Sequence, residues 1–409
     1  MTRKKFICLV ILFSFCSVFL TGCYDLNGIE QFSYAIAIGI DASDINIIKL
    51  SLQFTIPTSS GGEGTTSQSS NSTVVSVDCD SIDSGINLIN SYVGKQVNLS
   101  HCKAIVISEP VAVEGVSQYL YTLINNIQIR PDCNIIISRC NAKDFLENST
   151  SSFESLPARY YETAIESSQY TGLAETTPIH KFYSYIEDDF REATAVLGGL
   201  LSENNQSSIE NQPYINLDGN YKVNETPVSG ENKIDNMGIA IFSGDKLVGE
   251  VNGLETISHL LLTNKLKKCV ITISSPFKEN RPISLFITSP KSTVQTVEIV
   301  NGSPYITTEV FLEANILSAD NDSDYTSIGN LKIIEEYVNN YMQEQLSSFL
   351  YRTAKEFKSD VIGFGRHLRT KYLTEEKLNQ ISWSTLYPNS FFSCKVHCTV
   401  GSGYVISKD

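Results

Sequence analysis

Residues 328–358 carry the strongest periodic pattern in the chain. Apolar side chains recur there at three- and four-residue spacing, at positions 334, 338, 342, 346, 349, 350, 354 and 357, which is the stripe of an amphipathic helix. At 1.5 Å per residue such a helix is about 45 Å long, so it needs a broad apolar partner. A partner helix in a coiled coil is one option, but so short a pattern without a clean heptad repeat favours packing on a neighbouring sheet.

The first part of the chain alternates strand and helix patterns. Residues 34–40 are a continuous apolar run, typical of a strand buried on both faces, and residues 45–56 alternate well enough to form a hairpin with it. Farther on, the patterns of residues 101–108, 111–124 and 133–139 predict strand, helix and strand, which is a βαβ-like unit.

Later segments predict a different architecture. Residues 176–201 have helix-like spacing, and the polar stretch 202–235 after them is the best candidate for a domain boundary. Beyond it, Ser243-Gly-Asp245 is a hairpin signal, and several alternating segments between 269 and 314 indicate an antiparallel sheet with one solvated face. Residues 391–405 predict a closing strand.

The N-terminus carries an export signal. Three basic residues at positions 3–5 precede the mostly apolar stretch 6–20, which as a helix is too short for the ~30 Å hydrocarbon core. Leu20-Thr21-Gly22-Cys23 follows, the pattern of a bacterial lipoprotein signal in which the Cys23 thiol takes a diacylglyceryl group. Two or more acyl chains anchor a protein stably where one is marginal. We therefore expect lipidation at Cys23 and a location outside the cytoplasm.

Together these patterns predict an α+β fold of three mixed α/β domains with antiparallel or mixed sheets and one long helix in the C-terminal domain. The expected division is a lipoprotein signal peptide at 1–22, an N-terminal α/β domain at 23–200 with a flexible Ser/Thr/Gly-rich loop at 58–73, a linker at 201–236, a small middle domain at 237–280 and a C-terminal α+β domain at 281–409 with the long helix at 328–358.

The charge balance excludes some partners. The chain has 31 basic and 45 acidic residues, a net charge of −14, so its surface repels phosphate backbones and we expect no nucleic-acid binding. No segment after the N-terminus approaches the ~20 apolar residues of a membrane-spanning helix.

Ten cysteines are present, and seven remain once the two in the signal peptide and Cys23 are set aside. An odd number cannot form a complete disulfide framework within one chain. Cys394 and Cys398 lie on one face of the closing strand, about 13 Å apart by strand geometry, too far for a disulfide or a shared metal ion. His397 points to the other face. We interpret these cysteines as small core residues.

No catalytic, cofactor-binding or metal-binding residues are predicted. The chain lacks a phosphate-binding loop, a Gly-x-Ser-x-Gly elbow and a His-Glu-x-x-His helix. Its five histidines (101, 180, 259, 367 and 397) are scattered, and the acidic run Glu187-Asp188-Asp189 would diverge around a helix axis as a solvated face. We therefore expect no enzymatic activity and no cofactor.

Four stretches, in order along the whole chain, resemble the Ger(x)C lipoproteins, the C subunits of spore germination receptors. The closest correspondence is at 237–249 with 254–256; Tyr24 stands where the family usually has Trp, and only Trp383 is present where the family has two tryptophans. The four stretches are 23–30 with 34–41, 101–109, 237–249 with 254–256, and 360–365 with Trp383.

The resemblance implies a lipid-anchored subunit on the outer face of the inner spore membrane. It implies two membrane-embedded partners, the A and B subunits, and a receptor that responds to small nutrients. It implies no catalytic activity for the C subunit, and germinant binding is usually assigned to the B subunit. The function expected is therefore a non-enzymatic subunit needed for receptor assembly and for triggering germination.

Two other functions remain as alternatives. A solute-binding lipoprotein that delivers a nutrient to a transporter would have two similar α/β lobes around a cleft, whereas the two halves of this chain differ. An anchored hydrolase would need converging acid, base or metal residues.

Three residues of the best-matching stretch have a predicted structural role. Gly238 and Gly249 suit positive φ or close backbone approach. Glu255 is either a helix-start charge or an interface anchor, and we favour the helix-start charge.

Overall fold

The structure, a computed structural model, describes residues 28–56, 72–149, 157–201, 220–278, 281–319, 323–369 and 381–402, with a few isolated positions outside these ranges. Most of the signal peptide, Cys23, residues 58–71 of the expected loop and residues 202–219 of the expected linker lie outside the described residues.

Two sheets organise the described part of the chain, and β1 to β9 form the larger one. The strands are β1 (Phe32–Ala42), β2 (Ile48–Thr55), β3 (Ser72–Cys79), β4 (Gln96–Asn98), β5 (Ala104–Ser108), β6 (Asn134–Ser138), β7 (Thr194–Leu200), β8 (Ile234–Ser243), β9 (Lys246–Val251), β10 (Lys268–Ser274), β11 (Pro282–Thr288), β12 (Val294–Val300), β13 (Ser303–Ser318) and β14 (Phe391–Gly401). The helices are α1 (Ile82–Val93), α2 (Glu109–Glu114), α3 (Ser117–Asn125), α4 (Ala142–Asn148), α5 (Pro157–Glu166), α6 (Ser168–Thr171), α7 (Ile179–Ile186), α8 (Gly253–Leu262), α9 (Ile328–Arg352), α10 (Arg366–Arg369) and α11 (Trp383–Leu386).

The larger sheet is mixed. Its order is β3-β2-β1-β5-β6-β7-β8-β9, with β4 beside the start of β1. Strands β1, β5, β6 and β7 are parallel, while β2, β3, β8 and β9 add antiparallel edges. The apolar run 34–40 forms the middle of β1 and pairs with β2 as a hairpin, so both of those expectations are confirmed.

Helices cover both faces of this sheet. Helices α1, α2, α3 and α7 pack on one face, where Leu120 and Phe182 are fully buried. Helices α4 and α5 pack on the other, with Phe145 and Tyr161 buried against Val106. A sheet covered on both faces explains why its central strands are apolar throughout rather than alternating.

Two helix expectations were wrong. The segment 176–201 is not one helix, because helix α7 ends at Ile186 and residues 194–200 form strand β7, buried along nearly its whole length. A short apolar run has the same appearance in a buried strand and a buried helix, so periodicity cannot separate them. The segment 111–124 contains two helices, α2 and α3, because Gly115 between them has φ 131°.

The smaller sheet is built around the long strand β13. Strand β14 runs parallel to β13 along almost its full length, while β12 and then β11 pair with its other side. Cys394 and Cys398 face the core and His397 faces solvent, as the alternation predicted. All seven cysteines in the described ranges are free thiols.

The long helix packs on this smaller sheet, as expected. Helix α9 ends at Arg352 and continues as a π-helical turn over Thr353–Phe357, which matches the predicted span 328–358. It also covers the outer edge of β14, because the Asn339 and Glu335 side chains accept the N–H groups of Cys398 (2.7 Å) and Val400 (3.0 Å). An edge strand covered in this way is protected from pairing with another chain.

The stretch 237–280 contributes to both sheets. Strands β8 and β9 extend the larger sheet, whereas helix α8 and strand β10 join the core of the smaller one. The division of the chain into three domains stays a prediction.

Candidate functional site

The two sheets meet along a seam, which we define as strands β8 and β9, helix α8, the π-turn 353–357 and the loop 358–365. Two glycines permit its close approaches. Gly238 has φ 82°, and a Cβ on it would lie 2.1 Å from the Val251 carbonyl oxygen. A Cβ on Gly249 would lie 2.2 Å from the Phe357 ring. Both glycines therefore have the close-contact role that the sequence predicted.

A charged pair joins helix α8 to helix α9 within the seam. Asn252 and Glu255 form a capping box at the start of α8. Arg352, at the end of α9, donates to both Glu255 carboxylate oxygens (2.6 and 2.8 Å) and to the Glu250 carbonyl (3.2 Å). Glu255 is thus a helix-start charge, as we favoured, and also anchors the long helix to helix α8 through a charge-assisted contact.

The loop after the long helix is organised around one buried carboxylate. Asp360 is 2% exposed and accepts the N–H groups of Gly363 (2.8 Å), Gly365 (2.9 Å) and the Trp383 indole (2.8 Å). Its backbone carbonyl accepts the Glu192 N–H at 3.0 Å, which joins the loop to the larger sheet. Burial raises the pKa of Asp360, and the three donors oppose that rise;.

A second buried cluster lies between helix α8 and the larger sheet. Glu175 is 2% exposed and accepts from Thr194 Oγ1 at 2.7 Å and from the Lys265 ammonium. His259 Nε2 lies 2.9 Å from Glu175 Oε2. Burial raises the pKa of Glu175, but the His259 ring and the Lys265 ammonium outweigh burial and hold that pKa below its ordinary value. Burial lowers the pKa of His259, and the Glu175 carboxylate beside it opposes that fall.

An acidic pocket of about 680 Å³ opens at one end of the seam. Arg366 and Arg369 pair with its Asp188 (2.6 and 2.8 Å), and Glu192 Oε2 accepts the Gly244 N–H at 2.7 Å. Burial, with smaller contributions from neighbouring acids, raises the pKa of Glu192 to about 7. The lining residues are Ile186, Asp188, Asp189, Phe190, Glu192, Ser243, Gly244, Ile381, Ser382, Trp383 and Ser384.

The pocket has carboxylates and hydroxyls but no paired nucleophile and base. Among its described lining residues there is no His, Lys or Cys to activate a serine hydroxyl;. The arrangement favours a positively charged or hydrogen-bonding group over an anion.

The five histidines lie apart, as expected. His101 contacts the Tyr34 ring, His180 binds the Pro131 carbonyl and His397 stacks on Phe311. His259 belongs to the buried cluster around Glu175, and His367 lies in helix α10. Within the described ranges, no three His, Cys, Asp or Glu side chains are grouped as metal ligands. No helix in those ranges has both the length and the apolar character needed to cross a membrane.

Sequence reasoning missed several of the polar residues that organise the fold. Asp41 is the penultimate residue of strand β1 and accepts the Ala142 (2.6 Å) and Lys143 (2.9 Å) N–H groups at the start of helix α4. An acid near the carboxyl end of a buried strand was an available signal. The Arg352–Glu255 pair gave no signal in the sequence, because its two residues are 97 positions apart.

Comparison with known proteins agrees with this architecture. The family described as "Spore germination protein N-terminal domain" matches residues 25–199, and "Spore germination B3/GerAC like, C-terminal" matches residues 237–402. YfkR of Bacillus subtilis (strain 168), whose name assigns it to spore germination, is 24% identical over 401 residues, which is 96% of this chain and 95% of YfkR. The crystal structure of the GerBC protein has the same fold, with a TM-score of 0.52 and 17% identity, over 91% of this chain and 99% of GerBC.

The two family matches follow each other along most of the chain, and two of the stretches that resemble the family form close contacts in the seam. Residues 237–249 form the hairpin of the seam, and residues 360–365 form the loop around Asp360. The chain belongs to the Ger(x)C family of spore germination proteins.

Replacing the carboxylate of Asp360 tests the loop. We expect Asp360→Asn to lower the free energy of unfolding by about 2–3 kcal/mol, because the new amide NH₂ faces an N–H donor and leaves it unsatisfied. Trp383, the one tryptophan in the sequence, reports the change through its fluorescence in chemical unfolding. The matched control is Asp324→Asn, since Asp324 is exposed and accepts its bonds through a single oxygen that Asn retains. Equal losses in both variants would contradict the assigned role of Asp360.

The pKa of Glu192 predicts a pH dependence. Because that pKa is raised to about 7 from 4.5, its contribution to stability is fully present below pH 4.5 and is lost as pH rises through 7. Glu192→Gln cannot ionise and keeps an oxygen for the Gly244 N–H. We expect its melting temperature, relative to the native chain, to rise between pH 5 and pH 8. Glu187→Gln, at an exposed position, is the control. A difference in melting temperature between Glu192→Gln and the native chain that stays constant from pH 5 to pH 8 would refute the raised pKa of Glu192.

Proposed function

We propose that this chain is the lipid-anchored, non-enzymatic C subunit of a spore nutrient germinant receptor, needed for receptor assembly and for triggering germination. The observation that carries the proposal is the match of both halves, in order, to the N- and C-terminal domains of GerAC-like spore germination proteins. In this proposal the chain lies on the outer face of the inner spore membrane, beside membrane-embedded A and B subunits.

The seam supports a scaffolding role. A subunit that stabilises an assembly needs a defined shape, and here hydrogen bonds and ion pairs connect the two sheets at several separate points. Arg352 joins the long helix to the hairpin, and Asp360 joins the loop to Trp383 and to Glu192, which precedes strand β7. Buried polar groups satisfied in this way favour one relative arrangement of the parts they join.

The proposed anchor is the acylated Cys23, inferred from the sequence Leu20-Thr21-Gly22-Cys23. Two or more acyl chains would retain the protein on a bilayer without a membrane-spanning helix.

Replacing Cys23 in the native spore-former tests the proposal. We expect Cys23→Ala to remove the chain from the spore membrane fraction and to abolish the response to nutrients. Calcium dipicolinate should still germinate these spores, because it bypasses the receptor in this account. Cys140→Ala, a half-buried cysteine in the body of the chain, is the matched control and should leave both readouts unchanged. Normal membrane retention and normal nutrient germination in Cys23→Ala would contradict the anchor.

A solute-binding lipoprotein is the second candidate, and the acidic pocket is the observation that favours it. Its volume of about 680 Å³ suits a small molecule, and its carboxylates suit a cationic one. A ligand at 100 times its dissociation constant would add ~2.7 kcal/mol of stability, which thermal unfolding detects. We expect no stabilisation by a panel of amino acids and sugars; a shift that disappears in Asp189→Asn would favour the solute-binding alternative.

A further inference from the structure

The larger sheet has one end that differs from the rest of the surface. Because β1, β5 and β6 are parallel, their first residues lie at the same end of the sheet. Helices α1 and α3 precede β4 and β6, so their last turns lie at this end too. We call this surface the amino edge and define it by Phe32, Tyr34, Leu88, Tyr92, Lys95, Gln96, His101 and Ile127.

Contacts on the amino edge connect its parts. Gln96 pairs with Phe32 across the β1–β4 ladder, and the Tyr34 and His101 rings lie 4.9 Å apart. Gln96 and Ile127 line one shallow groove of about 220 Å³, so the end of α3 lies beside β4. The amino edge is therefore one continuous surface.

Large apolar side chains are exposed on it. Ile127 is 99% exposed, Tyr92 80% and Leu88 50%. Leu88 and Tyr92 are one helical turn apart on α1 and project on the same side. Tyrosines beside aliphatic residues are typical of surfaces that enter the interface of a bilayer, where an apolar body and a polar tip are both accommodated.

The charge of this surface is unlike that of the whole chain. Three segments that build it, residues 31–40, 84–108 and 115–131, contain no Asp or Glu, although the chain has 45. The nearest acids are Glu30, just before strand β1, and Asp83, which lines the same groove as Gln96 and Ile127. Their cations are Lys95, Lys103 and Arg130. Lys103 and Arg130 pair with acids outside these segments, Glu162 and Asp132, and Lys95 lies between helix α1 and strand β4 on this surface. The amino edge is therefore less acidic than the chain as a whole. An anionic bilayer repels the rest of this acidic chain more strongly than it repels this end.

The position of the proposed lipid also points to this end. Gly28 is five residues after Cys23, so the two are at most about 17 Å apart. Strand β1 then runs away from the amino edge for 11 residues, or about 36 Å. Of the two ends of the larger sheet, the amino edge is the one that the short tether holds near the membrane.

We propose that the amino edge rests on the bilayer, with Tyr92 and Ile127 in the headgroup region and Lys95 beside lipid phosphates. The proposal deepens the proposed function and rests on its lipid anchor at Cys23. It assigns the orientation of the subunit, with the amino edge against the lipid and the β1–β2 turn directed away from it.

Quenching of tryptophan fluorescence by brominated phospholipids tests this orientation in the full lipidated chain. Tyr92→Trp and Ile127→Trp each add one fluorophore at an exposed position, and the buried Trp383 contributes the same background to every variant. Ile45→Trp is the matched control, because Ile45 is 80% exposed in the turn at the opposite end of β1. The vesicles contain brominated phosphatidylcholine with phosphatidylglycerol.

We expect vesicles to quench the added emission in Tyr92→Trp and Ile127→Trp but not in Ile45→Trp. We also expect Lys95→Glu to reduce quenching of the Ile127→Trp fluorophore, and this reduction should grow in proportion to the phosphatidylglycerol content of the vesicles. Chains retained on vesicles with no quenching at 92 and 127, or with equal quenching at 45, would overturn the orientation while leaving the anchor intact. If the fluorophores at 92 and 127 become protected from quenching only when A and B subunits are added, the amino edge binds a protein partner. That result would also overturn the orientation. Chains not retained on vesicles at all would overturn the anchor and, with it, this inference.

Discussion

The buried carboxylate of Asp360 is the interaction on which the arrangement of the two sheets most depends. Its side chain accepts three N–H groups from a loop and from Trp383, while its own carbonyl accepts the backbone N–H of Glu192, two residues before strand β7 of the larger sheet. A charge in such a site is tolerated only because each of these donors faces it. The loop and the indole are therefore constrained together, and the acidic pocket forms where the Trp383 segment meets the end of helix α7 and the β8–β9 turn.

Local patterns predicted the elements whose structure is set locally. The hairpin of β1 and β2, the turn at Ser243-Gly-Asp245 and the long helix were all predicted correctly, because periodicity and turn residues are short-range signals. Strand β7 was missed, since its apolar run is equally compatible with a buried helix. The seam could not be predicted at all: Arg352 meets Glu255 across 97 residues and Arg366 meets Asp188 across 178, and one sequence holds no pattern that relates them.

The proposed function rests on the family match and on the positions of the seam and the amino edge. The resemblance in the sequence gave the Ger(x)C family, and the matches to both halves of the chain support that assignment. The structure shows what the family-like motifs do in the fold: they shape a turn, a helix start and a loop. With the proposed anchor at Cys23, the amino edge would face the lipid, and the seam would transmit the position of the larger sheet to the smaller one.

Native-state hydrogen exchange tests the connection between the sheets most directly. The opening free energies of amides in β1 and β13 would be followed in rising denaturant. If the seam joins the sheets into one cooperative body, both sets converge on the same global opening free energy and the same denaturant dependence. Opening of β13 at a distinctly lower free energy, while β1 stays protected, would mean that the sheets unfold independently, and would contradict the role given to the seam.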